Sequence, residues 1–310
     1  MVLNGLLEII KMDWIYFVIL ASLAYTVTDM LDKFLVDKKV NKPIVLPIFV
    51  RATSIIPICL IALFMGFSLP DPQFAGWIFV AGLFSTAGTI LFYRALRAGE
   101  VSRVLPLYQF IPVFVLFLSF LFIGEVLGFF DYVGFVVIVL GGLVVSAKSL
   151  SKLLKVERIF WLVAASSFLI AVSYVIMKFV LTSAEYWGAS ILLWLLNIAI
   201  ISSLLLLRDV RKNAKICVKK LDRTGKMLIF LDAITSVLAF IFNYIAISLG
   251  PVTLVEAAGN MMVIFIFISA FLLTRYFPHL LKEDFDTKAS LQKIAGIVLI
   301  IAGIMLTQLF

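Results

Sequence analysis

Ten stretches of this chain are each apolar for long enough to cross a bilayer: residues 14–35, 44–67, 74–97, 102–124, 129–148, 159–181, 187–207, 227–249, 252–274 and 290–310. Crossing about 30 Å of hydrocarbon takes about 20 helical residues. In that medium every backbone N–H and C=O must be satisfied by the protein itself, and runs this long predict helices rather than barrel strands. Composition agrees, with 64% hydrophobic and 14% charged residues, against about 45–50% and about 25% in soluble domains. The expected fold is therefore an all-α integral membrane protein of ten transmembrane helices, multi-pass in the cell (cytoplasmic) membrane. The first basic residue, Lys11, follows an apolar run. A cleaved leader is therefore not expected, and residues 2–10 read as a short interfacial helix.

The chain also repeats itself. With a shift of 151, Tyr93, Ala95, Gly99, Val101, Phe114 and Phe120 fall on Tyr244, Ala246, Gly250, Val252, Phe265 and Phe271. With a shift of 145, Ser22–Phe34 matches Ser167–Phe179, each copy ending in Lys-Phe; with a shift of 162, Gly134 and Gly141 fall on Gly296 and Gly303. Three matches in one order imply a duplicated unit, at residues 1–150 and 151–310. Five spans per unit is an odd number, so the second copy must enter the membrane upside down. Two inverted five-helix repeats in a membrane chain point to a transporter with its site between the halves.

Charge sets the expected orientation. Of 26 Lys and Arg residues, all but Lys11, Arg51 and Lys178 flank the loops after spans 1, 3, 5, 7 and 9, eight of them between Arg208 and Lys226. Positive-inside bias places those loops in the cytoplasm and both termini outside. Basic residues so placed need no nucleic acid to explain them. The stretch from Arg208 to Lys226 reads as a cytoplasmic loop in contact with anionic lipid.

Residues 95–125, AL-x-AGEVSRVLPLYQFIPVFVLFLSFLFIGE, together with a glycine-spaced fifth helix in each half, resemble the drug/metabolite transporter superfamily, EamA-domain type. The second copy departs from the first: Val263 stands where Pro112 does, and Arg275-Tyr276 replace Gly124-Glu125. The resemblance implies export or exchange of a small metabolite by alternating access. Members are usually described with cytoplasmic termini, opposite to this charge count, and their solutes range from amino acids to nucleotide sugars and drugs.

Polar side chains within the spans should face the interior, because a charge at mid-helix costs about 2.5–3.5 kcal/mol on insertion scales. Asp232, Ser236 and Asn243 share one face of span 8, Glu256 and Asn260 one face of span 9, and Ser22, Thr26, Asp29 and Lys33 form a stripe on span 1. Gln109 and Asn260 are repeat partners either side of the midplane, as are Ser85 and Ser236 near mid-span. Amides and hydroxyls both donate and accept, which suits a zwitterionic or polyhydroxy solute. The expected substrate contacts are Gln109, Asn260, Ser85, Ser236 and Asn243, with Tyr93 and Tyr244 as walls. Such residues also serve simply to join helices, and at this stage both roles stand. Glu256 with Lys178 on one side, and Asp29 with Arg51 on the other, are expected as gates; Glu256 or Asp232 is expected to carry a coupling proton. Glu125 reads as a helix-end charge. Pro106 and Pro112 should break span 4, and span 9 has no such prolines.

The functional expectation is a secondary transporter, an exporter, of a small polar metabolite such as an amino acid. The alternatives are a nucleotide-sugar or lipid-linked carrier, or a non-transporting scaffold or membrane-embedded enzyme. One histidine, His279, and two distant cysteines offer no catalytic or metal cluster. Neither an enzyme nor a cofactor is expected. Without a nucleotide motif, ATP is not the expected energy source. The expected partners are the solute, the bilayer and protons, with no nucleic acid, in a monomer or homodimer.

Overall fold

The apolar runs are mainly helical in the computed structural model, which describes residues 14–40, 44–98, 108, 110–146, 158–276 and 287–309, and no strand occurs among them. The interfacial helix expected at 2–10 and the polar end of span 4, Gln109 included, lie outside the described residues. The helices follow the apolar runs in order: α1 (Trp14–Lys38), α2 with α3 (Val45–Thr53 and Ile55–Met65), α4 (Pro72–Ala98), α5 (Ile111–Ile123), α6 (Phe129–Ser146), α7 (Arg158–Leu181) and α8 (Tyr186–Ser203). After α9 (Arg208–Lys220) come α10 (Arg223–Leu249), α11 with α12 (Val252–Ala258 and Met262–Tyr276) and α13 (Thr287–Leu309). Seven stretches among the described residues are long and apolar enough to cross a membrane; α5, α6 and α13 contribute shorter apolar helices.

Two spans are interrupted, each for a local reason. Pro57, near the start of α3, has no N–H to give the Thr53 carbonyl, and its ring crowds that carbonyl. The helix therefore breaks at Ser54. Span 9 breaks too, at a 3-10 turn over Gly259–Met261 between α11 and α12. The prolines predict such a break in span 4 alone. In span 9 a Gly-Asn pair with poor helix propensity suffices. In span 4, Pro112 sits in the first turn of α5, where its missing N–H costs nothing.

The basic stretch after span 7 is not a loop. Val210, Ala214, Cys217 and Leu221 recur at helical spacing, so α9 forms with Ala214 and Cys217 buried and its Lys and Arg residues outward. These two residues join Leu35, Val40, Leu46, Val50 and Ile229 in a small apolar cluster. Lys39 donates to Asp222 at 2.8 Å, while Asp222 caps α10 through the Gly225 N–H at 3.0 Å. The Lys39 ammonium, then the Gly225 N–H, hold the Asp222 carboxyl below the ordinary carboxylate range. This tie is therefore fully present above the ordinary carboxylate range and is lost as pH falls through the lowered pKa of Asp222.

Three long pairings build the bundle: α1 along α10, α4 along α7, and α6 along α13. The last is a backbone-to-backbone crossing. A Cβ on Gly141 would lie 2.8 Å from the Gly296 carbonyl oxygen, and one on Gly134 would lie 2.7 Å from that of Gly303. The helices therefore run antiparallel with glycines where the two backbones come closest, as close packing in lipid favours. Outward faces carry Leu63, Phe64, Phe122 and Phe129, each at least 75% exposed, an apolar surface that suits hydrocarbon.

Ser54 holds the break in span 2 by accepting from Trp194 Nε1 at 2.8 Å and donating to the Arg51 carbonyl at 2.7 Å. Ser54→Ala leaves the fully buried indole N–H without its acceptor. The expected cost is about 1–3 kcal/mol, read as a lower melting temperature in detergent.

Candidate functional site

A cavity of about 200 Å³ opens where α1, α2, α4, α8 and α10 meet. Its aromatic walls are Tyr25, Phe92, Tyr93, Tyr108, Trp194 and Phe240, and its charged lining is Asp29, Asp32 and Arg51. The break at Ser54 explains how a cation comes to be there. It ends α2 one turn after Val50, so Arg51 leaves the helix in its last turn, where a cation is favoured. The guanidinium carbon then lies 4.0 Å from the centroid of the Trp194 ring, a cation–π contact. Its Nη1 is buried and has no hydrogen-bond partner among the described residues.

The acids approach from two helices. Tyr93 Oη donates to Asp32 Oδ2 at 3.4 Å. Ser236, also on the cavity wall, donates to Asp232 Oδ1 at 3.4 Å. Asp232 is fully buried, and its Oδ2 has no partner among the described residues. Nearby, Thr28 Oγ1 donates to Thr235 Oγ1 at 2.9 Å, joining α1 to α10. A cation with an idle donor thus lines the aromatic-walled cavity, and an acid with an idle acceptor lies behind Ser236 on its wall.

Of the residues expected from sequence, Tyr93, Ser236, Asp29 and Arg51 line this cavity, and Asp232 touches it through Ser236. Others are placed elsewhere. Ser85 donates to Asn197 Oδ1 at 2.8 Å, which also accepts from Thr86 at 3.0 Å. Asn260 is buried against Gly142, where a Cβ would stand 2.9 Å from its Nδ2. Asn243 donates to Glu256 at 3.2 Å, and Tyr244 packs its ring on Phe240, 4.5 Å between centroids. Lys178 donates to the carbonyls of Ile247 and Gly250, each at 2.7 Å, so its anchor is the end of α10 rather than Glu256.

Sequence reasoning misses Tyr25, Asp32, Tyr108 and Trp194. On α1 it selects the stripe Ser22, Thr26, Asp29 and Lys33, whereas the cavity is faced by Tyr25, Thr28, Asp29 and Asp32. The two stripes share Asp29 and differ by about one residue, or about 100° of rotation. Ser22 and Thr26 instead bond each other, Thr26 Oγ1 to the Ser22 carbonyl at 2.7 Å. The i, i+3, i+7 spacing of Tyr25, Thr28 and Asp32 carries the missing signal.

A second crevice, about 380 Å³, lies by Phe122, Glu125, Lys178 and Thr182. It is larger, but its charged groups are already committed to backbone. Gly124 adopts φ +66°, the left-handed turn that ends α5. That turn delivers Glu125 to the start of α11, where its carboxylate accepts from the N–H groups of Val252 (2.9 Å) and Thr253 (3.1 Å). Ser119 and Thr253 share a hydrogen bond at 2.8 Å beside it. The Gly-Glu pair is thus a clasp between α5 and α11. Glu125→Ala is expected to cost about 0.5–2 kcal/mol, the usual value of a helix N-cap, visible as a lower melting temperature in detergent.

Comparison with known proteins decides what kind of chain this is. Residues 12–147 match the EamA-like transporter family. Among relatives, an "uncharacterized transporter in cobO 3'region" of Sinorhizobium sp. is 35% identical over 72 residues, 23% of this chain. The chain spans about half of that relative, 51% of its length. An uncharacterized protein of Methanocaldococcus jannaschii is 28% identical over 133 residues, 42% of this chain and 94% of that protein. A solved structure described only as "Crystal structure of protein" superposes with a TM-score of 0.66 at 14% identity, covering 93% of this chain and 95% of the other. That likeness concerns the fold alone. The EamA-like half contributes Tyr25, Asp29, Asp32, Arg51 and Tyr93 to the cavity; Trp194, Ser236 and Phe240 come from beyond the matched residues.

Proposed function

We propose that this EamA-like protein is a secondary transporter that exports an amino-acid-sized zwitterion through the cavity by alternating access between residues 1–150 and 151–310. The carrying observation is Arg51 Nη1, idle on the cavity wall, with Asp232 Oδ2 idle behind Ser236. A carboxylate answers the first and an ammonium the second, and only a small solute bearing both satisfies both. Drug-sized ligands occupy about 300–1,000 Å³, so a cavity of about 200 Å³ favours a compact solute over a nucleotide sugar or lipid-linked carrier substrate.

Packing supports two inverted five-helix halves making ten spans. Exchanging the halves turns the α1–α10 pairing (spans 1 and 8) into the α7–α4 pairing (spans 6 and 3), and both are among the most extensive in the bundle. The same exchange turns the Gly134–Gly303 contact into Gly296–Gly141, the other half of the α6–α13 crossing. A relative of which 133 residues make up 94% is less than half as long as this chain, the size of one such unit. We infer an access path beside α9, which packs on Val50 of the cavity wall, and a closure at the Glu125 clasp between α5 and α11. An access path on one side with a closure on the other is what alternating access needs. On this reading Tyr93, Ser236, Asp29, Arg51 and Asp232 serve the solute. Asn260, Ser85, Asn243 and Tyr244 form the packing around the path, while Lys178, Glu125 and Glu256 act at the closed end.

The test is a thermal-shift panel of amino acids, polyamines, nucleosides and sugars on wild type, Asn260→Ala and Asp232→Asn. A solute at 100 times its dissociation constant adds about 2.7 kcal/mol of stability. The expected result is a shift for amino acids, lost in Asp232→Asn and weakened in Asn260→Ala. A shift for nucleosides or sugars, with none for any amino acid, refutes the reading.

A further inference from the structure

We propose that α9 is a binding face for the anionic headgroups of the bilayer, and that headgroups seated on it steady the cavity wall that carries Arg51, whatever solute the cavity takes. At about 100° per residue, Arg208, Arg211, Lys212, Lys215 and Lys219 fall within about 100° of arc on this helix. All five are exposed, and none forms an ion pair among the described residues. The one acid of α9, Asp209, stands off this stripe, and the next in the chain, Asp222, is taken by Lys39.

Such a stripe works against its own helix. Arg208 and Lys212, Arg211 and Lys215, and Lys215 and Lys219 are like charges four residues apart, and each pair disfavours the helix. At 13 residues α9 is also too short to persist without outside support, and only Ala214 and Cys217 of it are buried. Fixed negative charge laid along the stripe removes the repulsion. The bilayer offers it at this place, because α9 joins two stretches that are long and apolar enough to cross a membrane.

The order of side chains around the helix favours lipid over a soluble partner. Turning one way from buried Ala214, the next is Val218, 51% exposed, followed by the five cations. Turning the other way from Cys217 come Asn213, Lys220 and Asp209. An apolar side chain bordering a row of cations matches the step from acyl chains to phosphates at a membrane surface. A protein that takes a basic helix into a groove needs its apolar face, and that of α9 is already packed into the cluster with Leu46 and Val50 of α2.

The covered face is also the back of the cavity wall. Val50 belongs to the cluster around Ala214 and Cys217 and lines the cavity beside Arg51. Lys39, just past α1, is tied to Asp222, between α9 and α10. Headgroups that keep α9 helical therefore hold the neighbouring parts of α1 and α2 as well.

The experiment places the full chain in nanodiscs of phosphatidylcholine alone, or of equal parts phosphatidylcholine and phosphatidylglycerol. Acetylation by a water-soluble reagent, read by mass spectrometry, should slow several-fold with phosphatidylglycerol at Lys212, Lys215 and Lys219, but not at Lys220 on the other flank. Amide hydrogen exchange should slow across α9 and α2 and stay unchanged in α5. Both effects should be lost in Arg208→Gln/Lys212→Gln and in Arg211→Gln/Lys215→Gln; two variants guard against one failing to fold. Each gives up about twenty-five-fold in headgroup affinity, about fivefold per cation. Lys220→Gln/Lys226→Gln, which removes as much charge off the stripe, should keep both effects. No slowing at the stripe lysines overturns the proposal, as does equal slowing at Lys220, which reports surface potential rather than a built face. A DNA duplex bound through the same cations as tightly with phosphatidylglycerol as without it assigns the stripe to a soluble polyanion and overturns it too. Slowed acetylation with unchanged exchange in α2 upholds the headgroup face and overturns its hold on the cavity wall.

Discussion

Gly141→Val is expected to prevent recovery of a monodisperse protein. The added atoms would meet the Gly296 carbonyl at 2.8 Å and the Ile300 N–H at 2.9 Å, both backbone atoms of the facing helix. Neither can step aside without moving α13 itself, unlike the flexible tip of a side chain. Overpacking of this kind costs about 1–3 kcal/mol for a well-buried site and more when backbone must move. The damage should be seen by size-exclusion chromatography and thermal unfolding in detergent. Gly76→Val is the control: nothing stands within 4 Å of a Cβ there, and replacing a glycine should favour the helix. Equal damage from both substitutions would mean that the α6–α13 crossing is not the close contact described above.

Arg51→Ala is expected to abolish solute recognition while leaving the fold almost untouched. The guanidinium has a buried nitrogen with no partner among the described residues, so its desolvation is uncompensated and its removal relieves a cost. Against that, the cation–π stacking over Trp194 is worth about 0.5–2 kcal/mol. These nearly cancel, and the melting temperature of ligand-free protein should stay close to wild type. Binding of an amino acid should fall far more, because truncating one member of a buried charge pair costs about 2–5 kcal/mol, or roughly thirty- to several-thousand-fold in affinity. Arg51→Lys should recover little of it, since a lysine ammonium cannot present two parallel donors to a carboxylate. Unchanged affinity in Arg51→Ala would remove the arginine from the site.

Helix positions were legible in the chain because a bilayer imposes length. The described helices follow the ten apolar runs, most of them ending within a few residues of the run. The Gly134, Gly141, Gly296 and Gly303 contacts were legible as well, since spaced glycines in an apolar helix have few uses besides close packing. The hidden features have particular causes. The basic stretch after span 7 carries an amphipathic period of only Val210, Ala214 and Cys217 within a charge-rich segment, and the charge signal dominates it. The break at Gly259–Met261 has no proline to announce it. Ser85 and Asn197 satisfy each other across helices 112 residues apart in sequence. A polar residue with such a partner looks, in sequence, identical to one awaiting a solute.

From the amino-acid order alone come the helices, a length and apolarity sufficient to cross a membrane, and the expectation of one unit present twice. Each of these follows from sums over many residues, such as hydropathy, length and repetition, which tolerate errors at single positions. Only the tertiary structure decided which polar groups face a common cavity. On a helix one residue is about 100° of rotation, so a stripe misjudged by a single position points at a different neighbour. Thr28 and Thr235 lie 207 residues apart, and their meeting depends on how α1 rests along α10, a relation that no pattern within either segment encodes.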